Sequence, residues 1–585
     1  MKIINLSHSS LIISPDFTGV PNLEKLTLSS CLNLRELHPT VGILKKLVLL
    51  NLECCKELSH LPSKFEMDSL MTLVLSNCLK LKTIPENMGN MKCLQSLNLD
   101  FTAIKELPSS IGGLIGLNSL TLVGCKNLVC LPNTICCLKS LESLDLSQSS
   151  NFENLPENLR NVEGLKNLNL RGTAIKELPS SIECLMHLTT LTLFPSNKLE
   201  SLPNTTCGFK FHGALNLSTC PRFKNLPENP WIIEGLKELH LNGTAIEVMP
   251  SSIGHLTNLT TLTLRFCMNL VHLPSTICSL NLLECIDLGG CSNFDNLPEN
   301  LGNVKGLKEL HLNGTAIKEL PSSIEHLMHL TSLTLFKCHK LVSLPNNTCG
   351  FKFHGVLNLS TCLGFKNLPE NPWIIEGLKM LDLSKTAIEK MPSSIGCLTN
   401  LTTLTLRFCM NLVHLPSTIC SLKFLDSVDL FRCLKFDNLP ENIGNMEGLK
   451  LLNLCWTAIK EIPSSIGCLS SLKCLYLSGH NFVSLPESIS QLSNLRSLYL
   501  EGCKRLQSLK NVPSTIESIT ANDCISLERL PKLQYYRFWL DCANLQLFFF
   551  NCFKLVDNSM LQGVNNMLQV CLSLFLSLFL SFSKF

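Results

Sequence analysis

Residues 256–280, LTNLTTLTLRFCMNLVHLPSTICSL, decide the fold, and they occur a second time, letter for letter, at 398–422, an offset of 142. Inside the stretch the spaced positions are Leu259, Leu262, Leu264, Cys267, Leu270, Leu273 and Pro274, then Ile277 and Leu280. The pattern is L-x-x-L-x-L-x-x-C-x-x-L-x-x-L-P-x-x-I-x-x-L. A fixed period of this kind has to be settled before any element is assigned, because missing it mis-assigns the whole chain. Working outward, the first leucine-like position recurs at 23, 47, 70, 94, 117, 141, 165, 188, 212, 236, 259, 283, 307, 330, 354, 378, 401, 425, 449, 472, 495 and 516. Every step but the last is 23 or 24. From 165 onward the units also group in threes, 71 apart, so the verbatim copy belongs to a six-repeat block, about 188–329 against 330–471. Such a pattern implies a tandem duplication inside an already repetitive array.

The L-x-L core alternates apolar and polar residues, the period of a short strand with one buried face. Leu259, Leu262 and Leu264 are expected to point inward, and Thr261, Thr263 and Arg265 outward. Pro274 cannot donate to a ladder and ends the strand side of the unit. The following S-T-I-C-S-L, with Ile277 and Leu280 three apart, predicts a short helical or 3-10 turn that returns the chain. The expected fold class is an α/β repeat solenoid, a leucine-rich repeat horseshoe with a parallel β-sheet on the concave face and short helical or 3-10 turns on the convex face. Twenty-two units at about 4.8 Å per strand give an inner edge on the order of 100 Å, a surface for a macromolecule more than a pocket for a metabolite.

Residues 1–531 form the repeat array. Residues 532–563, with the aromatic run YYRFWLDCANLQLFFFNCFKL at 535–555, are expected to open a truncated domain that follows the repeats. Residues 564–585 make a hydrophobic low-complexity tail. Its apolar core, 567–582, is 16 residues long, slightly short of a membrane span. A membrane is therefore not expected as a partner except through this tail.

Composition narrows the function. The chain of 585 residues is 45% hydrophobic and 16% charged, with 49 basic against 46 acidic residues, a balance that points to neither nucleic acid nor an anionic membrane surface. Of its 31 cysteines, thirteen fall at one repeat position, from Cys31, Cys55 and Cys78 to Cys503 and Cys524. At a buried rung cysteine behaves as a small apolar residue with a weak S–H donor, so a reducing, cytoplasmic compartment is expected. Six units place Thr102, Thr173, Thr244, Thr315, Thr386 and Thr457 at that rung, and Ser149 occupies it once; a hydroxyl keeps the same chemistry. Sequons such as those at Asn216, Asn258, Asn358 and Asn400 follow from repeat grammar. The first residues, MKIINLSHSSLIISPDF, lack the pattern of a secretory signal.

No catalytic, cofactor or metal site is expected. Gly-Lys occurs nowhere, which excludes a phosphate loop. Cys207 with His212, and their copies Cys349 and His354, match no structural zinc spacing and read as a degenerate repeat. Trp231 and Trp373 read as packing over a longer outer turn. Protein-binding candidates are the outward strand-side residues Phe194, His240, Arg265, His311, Phe336, Asp382, Arg407, Asp429, Phe431, Tyr476 and Tyr499.

The opening INLSHSSLIISPDFTGVPNLEKLTLSSC, the repeated TAIKELPSSI and LPENLGN phrases, and the closing ISLERLPKL with FFFNCFKLVDN carry a family resemblance. They resemble the leucine-rich repeat region, and the start of the domain after it, of plant intracellular resistance receptors. The class is the one with an N-terminal Toll/interleukin-receptor-like domain and a nucleotide-binding switch. The L-x-G-x-I-P phrase of extracellular plant repeats is absent. The resemblance implies a sensor that recognises a pathogen effector or a guarded host protein. It covers about residues 1–556 and leaves the family's signalling and switch domains without counterpart here, so a sensor fragment without enzymatic activity is expected. The competing expectation is a stand-alone intracellular scaffold for signalling proteins.

Overall fold

The computed structural model describes residues 1–203, 213–228, 235–345, 355–370, 377–510, 512–530 and 546–555. They fall into two compact units, Met1–Ile317 and Lys318–Phe585. Cys207, His212, Cys349, His354, Trp231, Trp373 and the tail 564–585 lie outside the described residues.

In the first unit a strand of three to five residues recurs in each repeat, from Ile3–Asn5 to Glu309–His311. Neighbours pair in parallel with apolar centre opposite apolar centre, as in Leu26↔Leu50↔Leu73↔Leu97. The alternation reads as expected: Leu262 is fully buried between the partly exposed Thr261 and Thr263. After the strand, Pro274 (φ −69°, ψ 149°) leads into the 3-10 helix Ser275–Ser279. A helix of three residues per turn puts Ile277 and Leu280 on one side, and both are buried. Every described helix is of the 3-10 kind, which settles the choice the sequence left open.

The step from strand to rung depends on one backbone conformation. Phe266 N–H continues the ladder to Gly289 O (2.8 Å), and Cys267 N–H then turns back to Leu264 O (3.2 Å). Phe266 sits at φ +58°, and the equivalent residue is left-handed in repeat after repeat, whether glycine (Gly124, Gly290, Gly314) or not (Phe101, Gln148, Thr219). That single inversion breaks the period of two, so the next residue faces the core. A side chain at such a position costs roughly 1–2 kcal/mol relative to glycine.

The rung residue satisfies a carbonyl freed by this turn. Cys267 Sγ donates to Leu241 O of the preceding repeat (3.1 Å), Cys291 Sγ to Leu264 O (2.9 Å) and Cys125 Sγ to Leu99 O (3.1 Å). Threonine donates within its own repeat: Thr244 Oγ1 to Leu241 O (2.8 Å). Burial pushes the Cys55 thiol up to about 12 and Cys220 up to about 11. The described cysteines are all free thiols.

The 71-residue grouping coincides with a buried ring in every third repeat. Phe152, Phe223 and Phe294 replace the leucine three residues after the rung, and all three are fully buried. In the next repeat the apolar residue comes two after the rung, as in Thr315-Ala316-Ile317, which shortens the unit by one residue. Ala316 N–H donates to Phe294 O (2.8 Å), and Ala174 N–H to Phe152 O (2.8 Å). A large ring in one unit is thus followed by a shortened turn with a small side chain in the next, an arrangement that would keep volume across the pair.

The second unit repeats these devices, from Ser332–Thr334 onward. Phe365 and Phe436 are its fully buried phenylalanines, and Ala458 N–H donates to Phe436 O (2.9 Å). His480 takes a rung, 2% exposed, with Nδ1 bonded to Leu477 O (2.8 Å) and Nε2 to the Thr457 hydroxyl (2.9 Å). Residues 532–563, expected from the sequence to open a domain after the repeats, have repeat geometry in their described part, 546–555. Gln546–Phe548 pairs in parallel with Ser518–Thr520, and Cys552 Sγ donates to Ala521 O (3.0 Å). Leu547, Phe549, Cys552 and Leu555 keep the L-x-L-x-x-C-x-x-L spacing, which aromatic substitution and a longer connection hide from a leucine count.

Candidate functional site

Because each repeat repeats its backbone, side chains at equivalent positions form columns across the strands. The candidates occupy two of them. The last strand position carries His240, His311, Asp382, Asp429, Tyr476 and Tyr499; the position two residues later carries Phe194, Arg265, Phe336, Arg407 and Phe431.

In the first unit, His240, Thr263, Asp287 and His311 stand opposite one another on four successive strands. His240 bonds Thr263 Oγ1 (3.0 Å) and Glu238 Oε2 (3.1 Å), while His311 Nε2 lies 3.4 Å from Glu309 Oε2. Arg265 Nε reaches Asp287 Oδ2 at 3.7 Å, and its guanidinium lies 5.7 Å from the Phe266 ring centre. His240, Arg265 and His311 therefore share one polar patch. Phe194, three repeats upstream of Arg265, stands apart from it.

Cys285, Glu309 and His311 are the one described trio with metal-ligand chemistry, their ligand atoms all within 4.8 Å of one another. Burial, then the Glu309 and Asp287 carboxylates, push the Cys285 thiol up to about 12. At neutral pH it keeps its proton, so a cation there would have to displace it.

In the second unit, Arg407 Nε meets Asp429 Oδ2 at 3.6 Å, and its guanidinium lies 5.2 Å from the Phe431 ring centre. Asp429 is also structural: Oδ1 accepts the Phe431 N–H (3.0 Å), and Asp382 accepts the Ser384 N–H in the same way (2.9 Å). Burial raises the Asp429 carboxyl above its ordinary value, with Arg407 opposing. Tyr476 and Tyr499 stack on adjacent strands, ring centres 4.2 Å apart and planes 2° from parallel. Burial and the neighbouring tyrosine push the Tyr476 hydroxyl up to about 12. Phe336, three repeats upstream of Arg407, stands apart.

Reading the sequence by strand alternation missed a third column, the left-handed residue just before the rung. There stand Phe408, Arg432, Lys385 and Trp456, with φ between 58° and 60°. Phe408 and Phe431 meet edge to face, centres 5.4 Å apart, and Arg432 lies 5.9 and 5.6 Å from their centres. Lys385 Nζ lies 5.5 Å from the Phe408 centre. The available signal was the letter before each rung Cys or Thr, where glycine alternates with large residues.

A family description, leucine-rich repeat region, matches residues 48–168 and 428–534. Among curated relatives, a probable disease resistance protein of Arabidopsis thaliana is 33% identical over 205 residues, covering 34% of this chain and 11% of the relative. TMV resistance protein N of Nicotiana glutinosa is 38% identical over 114 residues, 19% of this chain and 10% of the relative. Disease resistance protein RPS4 of Arabidopsis thaliana is 33% identical over 130 residues, 19% of this chain and 10% of the relative. The chain thus spans about a tenth of the length of these relatives. Among solved structures, the plant peptide hormone receptor RGFR1 in complex with RGF2 is 21% identical, covering 94% of this chain and 96% of that one, with a TM-score of 0.38.

Proposed function

We propose, from the premise that this chain carries a leucine-rich repeat region of the kind found in plant disease resistance proteins, that it is the sensor part of an intracellular immune receptor. It acts as a binding region and not as an enzyme. Its sheet side recognises a pathogen effector or a guarded host protein. The observation that carries this reading is the content of the outward columns. His240, Arg265, Asp287 and His311 in one unit, and Arg407, Asp429, Phe431 and the tyrosine pair in the other, put charge and aromatic surface on strands whose buried centres are aliphatic, leucine except for Ile286 and Val428. Arginine and aromatic residues are the side chains that dominate interface energetics. Free thiols throughout the described residues suit a reducing compartment. Where a nucleotide switch is present in the same receptor or in trans, binding would bias it by differential affinity for its two states.

The test is site-specific photo-crosslinking in plant cells. A photoreactive residue at Thr263 or Thr405, on the sheet side, is compared with one at the exposed Ser279 or Ser421, on the helix side. Crosslinks that form from the sheet positions only, and only after pathogen challenge, are expected. Equal crosslinking from both sides would refute the reading, and challenge-independent crosslinks to host signalling proteins would favour the scaffold.

A further inference from the structure

The two six-repeat blocks compare the molecule with itself. Their repeat spacing coincides, down to the identical 256–280 and 398–422, while outward positions differ, among them the left-handed column. Gly243, Gly290 and Gly314 of the first block stand where the second has Lys385, Arg432 and Trp456, and Gly289 stands where it has Phe431. The backbone is left-handed at all three positions in both blocks: φ is 67°, 81° and 73° for the glycines against 58°, 59° and 60° for their counterparts. Glycine occupies this conformation without strain, and other residues do not. Lys385 and Arg432 are exposed, so no core contact offsets that strain.

What these residues build is a strip along one edge of four successive strands: Lys385, Arg407, Phe408, Phe431, Arg432 and Trp456. Its cations lie over rings, with Lys385 over Phe408, Arg407 over Phe431, and Arg432 near both rings. Arg407 has Asp429 as a counter-ion at 3.6 Å. No carboxylate forms an ion pair with Lys385 or Arg432 among the described residues. Trp456 is 42% exposed and lies along the backbone of Gly479, where an added Cβ would come within 2.4 Å of the ring.

We propose that this strip is the contact site for an acidic segment of a protein partner that carries a large apolar or aromatic side chain. The inference deepens the reading of the sheet side as a protein-binding surface and rests on it. Carboxylates answer the two cations that have no carboxylate partner among the described residues, and the ring faces and Trp456 take the apolar anchor. Three strand spacings span about 14 Å, the length of roughly four extended residues, so a short segment crossing the strands fills the strip. A nucleic acid fits less well, because a long phosphate backbone needs a run of cations well beyond this strip, and the chain as a whole carries only +3.

The test pans a random peptide display library against the full chain at low salt. Synthetic versions of the enriched peptides are then measured by fluorescence anisotropy against the full chain and against a variant with Lys385→Gly, Arg432→Gly and Trp456→Gly. That variant restores the residues of the first block and relieves left-handed strain, so it is expected to fold, as circular dichroism and melting would check. If it melts early, Arg432→Glu alone carries the comparison. Enriched peptides should combine acidic residues with an aromatic one, lose at least tenfold in affinity on the variant, and weaken with salt. Peptides that bind the variant equally but are lost on Thr405→Arg overturn the strip and leave the protein-binding reading standing. Peptides without an acidic excess overturn the assigned chemistry. A labelled oligo-dT strand that binds in a strip-dependent way where peptides do not overturns the choice of partner, and a library yielding no binder on the sheet side overturns both readings.

Discussion

Truncating Phe294 to alanine removes a ring that is fully buried and sits under the shortened turn at Ala316. Replacing a buried phenylalanine by alanine costs about 3–5 kcal/mol, through lost transfer energy and the cavity left behind. Phe294→Leu, which puts there the residue that Leu270 supplies in the repeat before, keeps most of the volume and should cost about 1–1.5 kcal/mol. In a stack each repeat contacts only its neighbours, so the loss should stay local. The assay is hydrogen exchange read by mass spectrometry, comparing peptides from 283–320 with peptides from 47–75. At roughly 1.4 kcal/mol per factor of ten, alanine should lower protection near the site by about a hundredfold or more, and leucine by about tenfold. Protection at 47–75 should not change. A loss below tenfold for alanine, an equal loss for the two variants, or a loss spread evenly along the chain would refute the volume match as the origin of the 71-residue grouping.

Two further outcomes follow from single side chains. Burial holds the His480 imidazole below its ordinary pKa, so the ring is neutral in the fold and gains a proton more readily when unfolded. Its contribution is therefore complete above the unfolded value of about 6.5 and is lost as pH falls below it; His480→Thr, which puts a hydroxyl on the rung, should melt with a smaller drop between neutral and mildly acidic buffer than the parent chain, and identical drops would refute this. An alanine Cβ at Gly290 would lie 2.5 Å from Phe266 Cδ1 at φ +81°, whereas one at Gly314 would meet only backbone at 3.5 Å. Gly314→Ala should thus cost the left-handed strain alone, roughly 1–2 kcal/mol; Gly290→Ala should cost more, because the ring must also swing away, and equal shifts in melting would show that the Phe266 ring does not rest there.

Much of this architecture was legible because it is periodic. The strand at Leu262, the proline stop at Pro274 and the cysteine rung recur often enough that no single repeat has to be interpreted alone. The choice between α and 3-10 turns was not legible, since Ile277 and Leu280 three apart fit either. The repeat geometry of 546–555 was hidden because Phe549 stands where leucine usually does. Strand alternation reaches the outward columns at the strand end and two residues beyond it, where the candidates stand. Lys385, Phe408, Arg432 and Trp456 escaped because alternation fails at a left-handed residue, whose direction is set by φ and not by parity. Asp382 and Asp429 were found as surface residues, but the backbone N–H groups they accept became visible only with the turn geometry.

The cysteine rung also makes the molecule a set of timers. The rung thiols from Cys31 to Cys524 are buried, each under its own repeat, whereas Cys93, Cys130, Cys137, Cys397 and Cys468 lie open to solvent. A brief pulse of an alkylating reagent would mark the open group at once and each rung only when its repeat parts from its neighbours. The pattern of labelled peptides would then chart, repeat by repeat, the order in which the array comes apart, using chemistry the chain already carries.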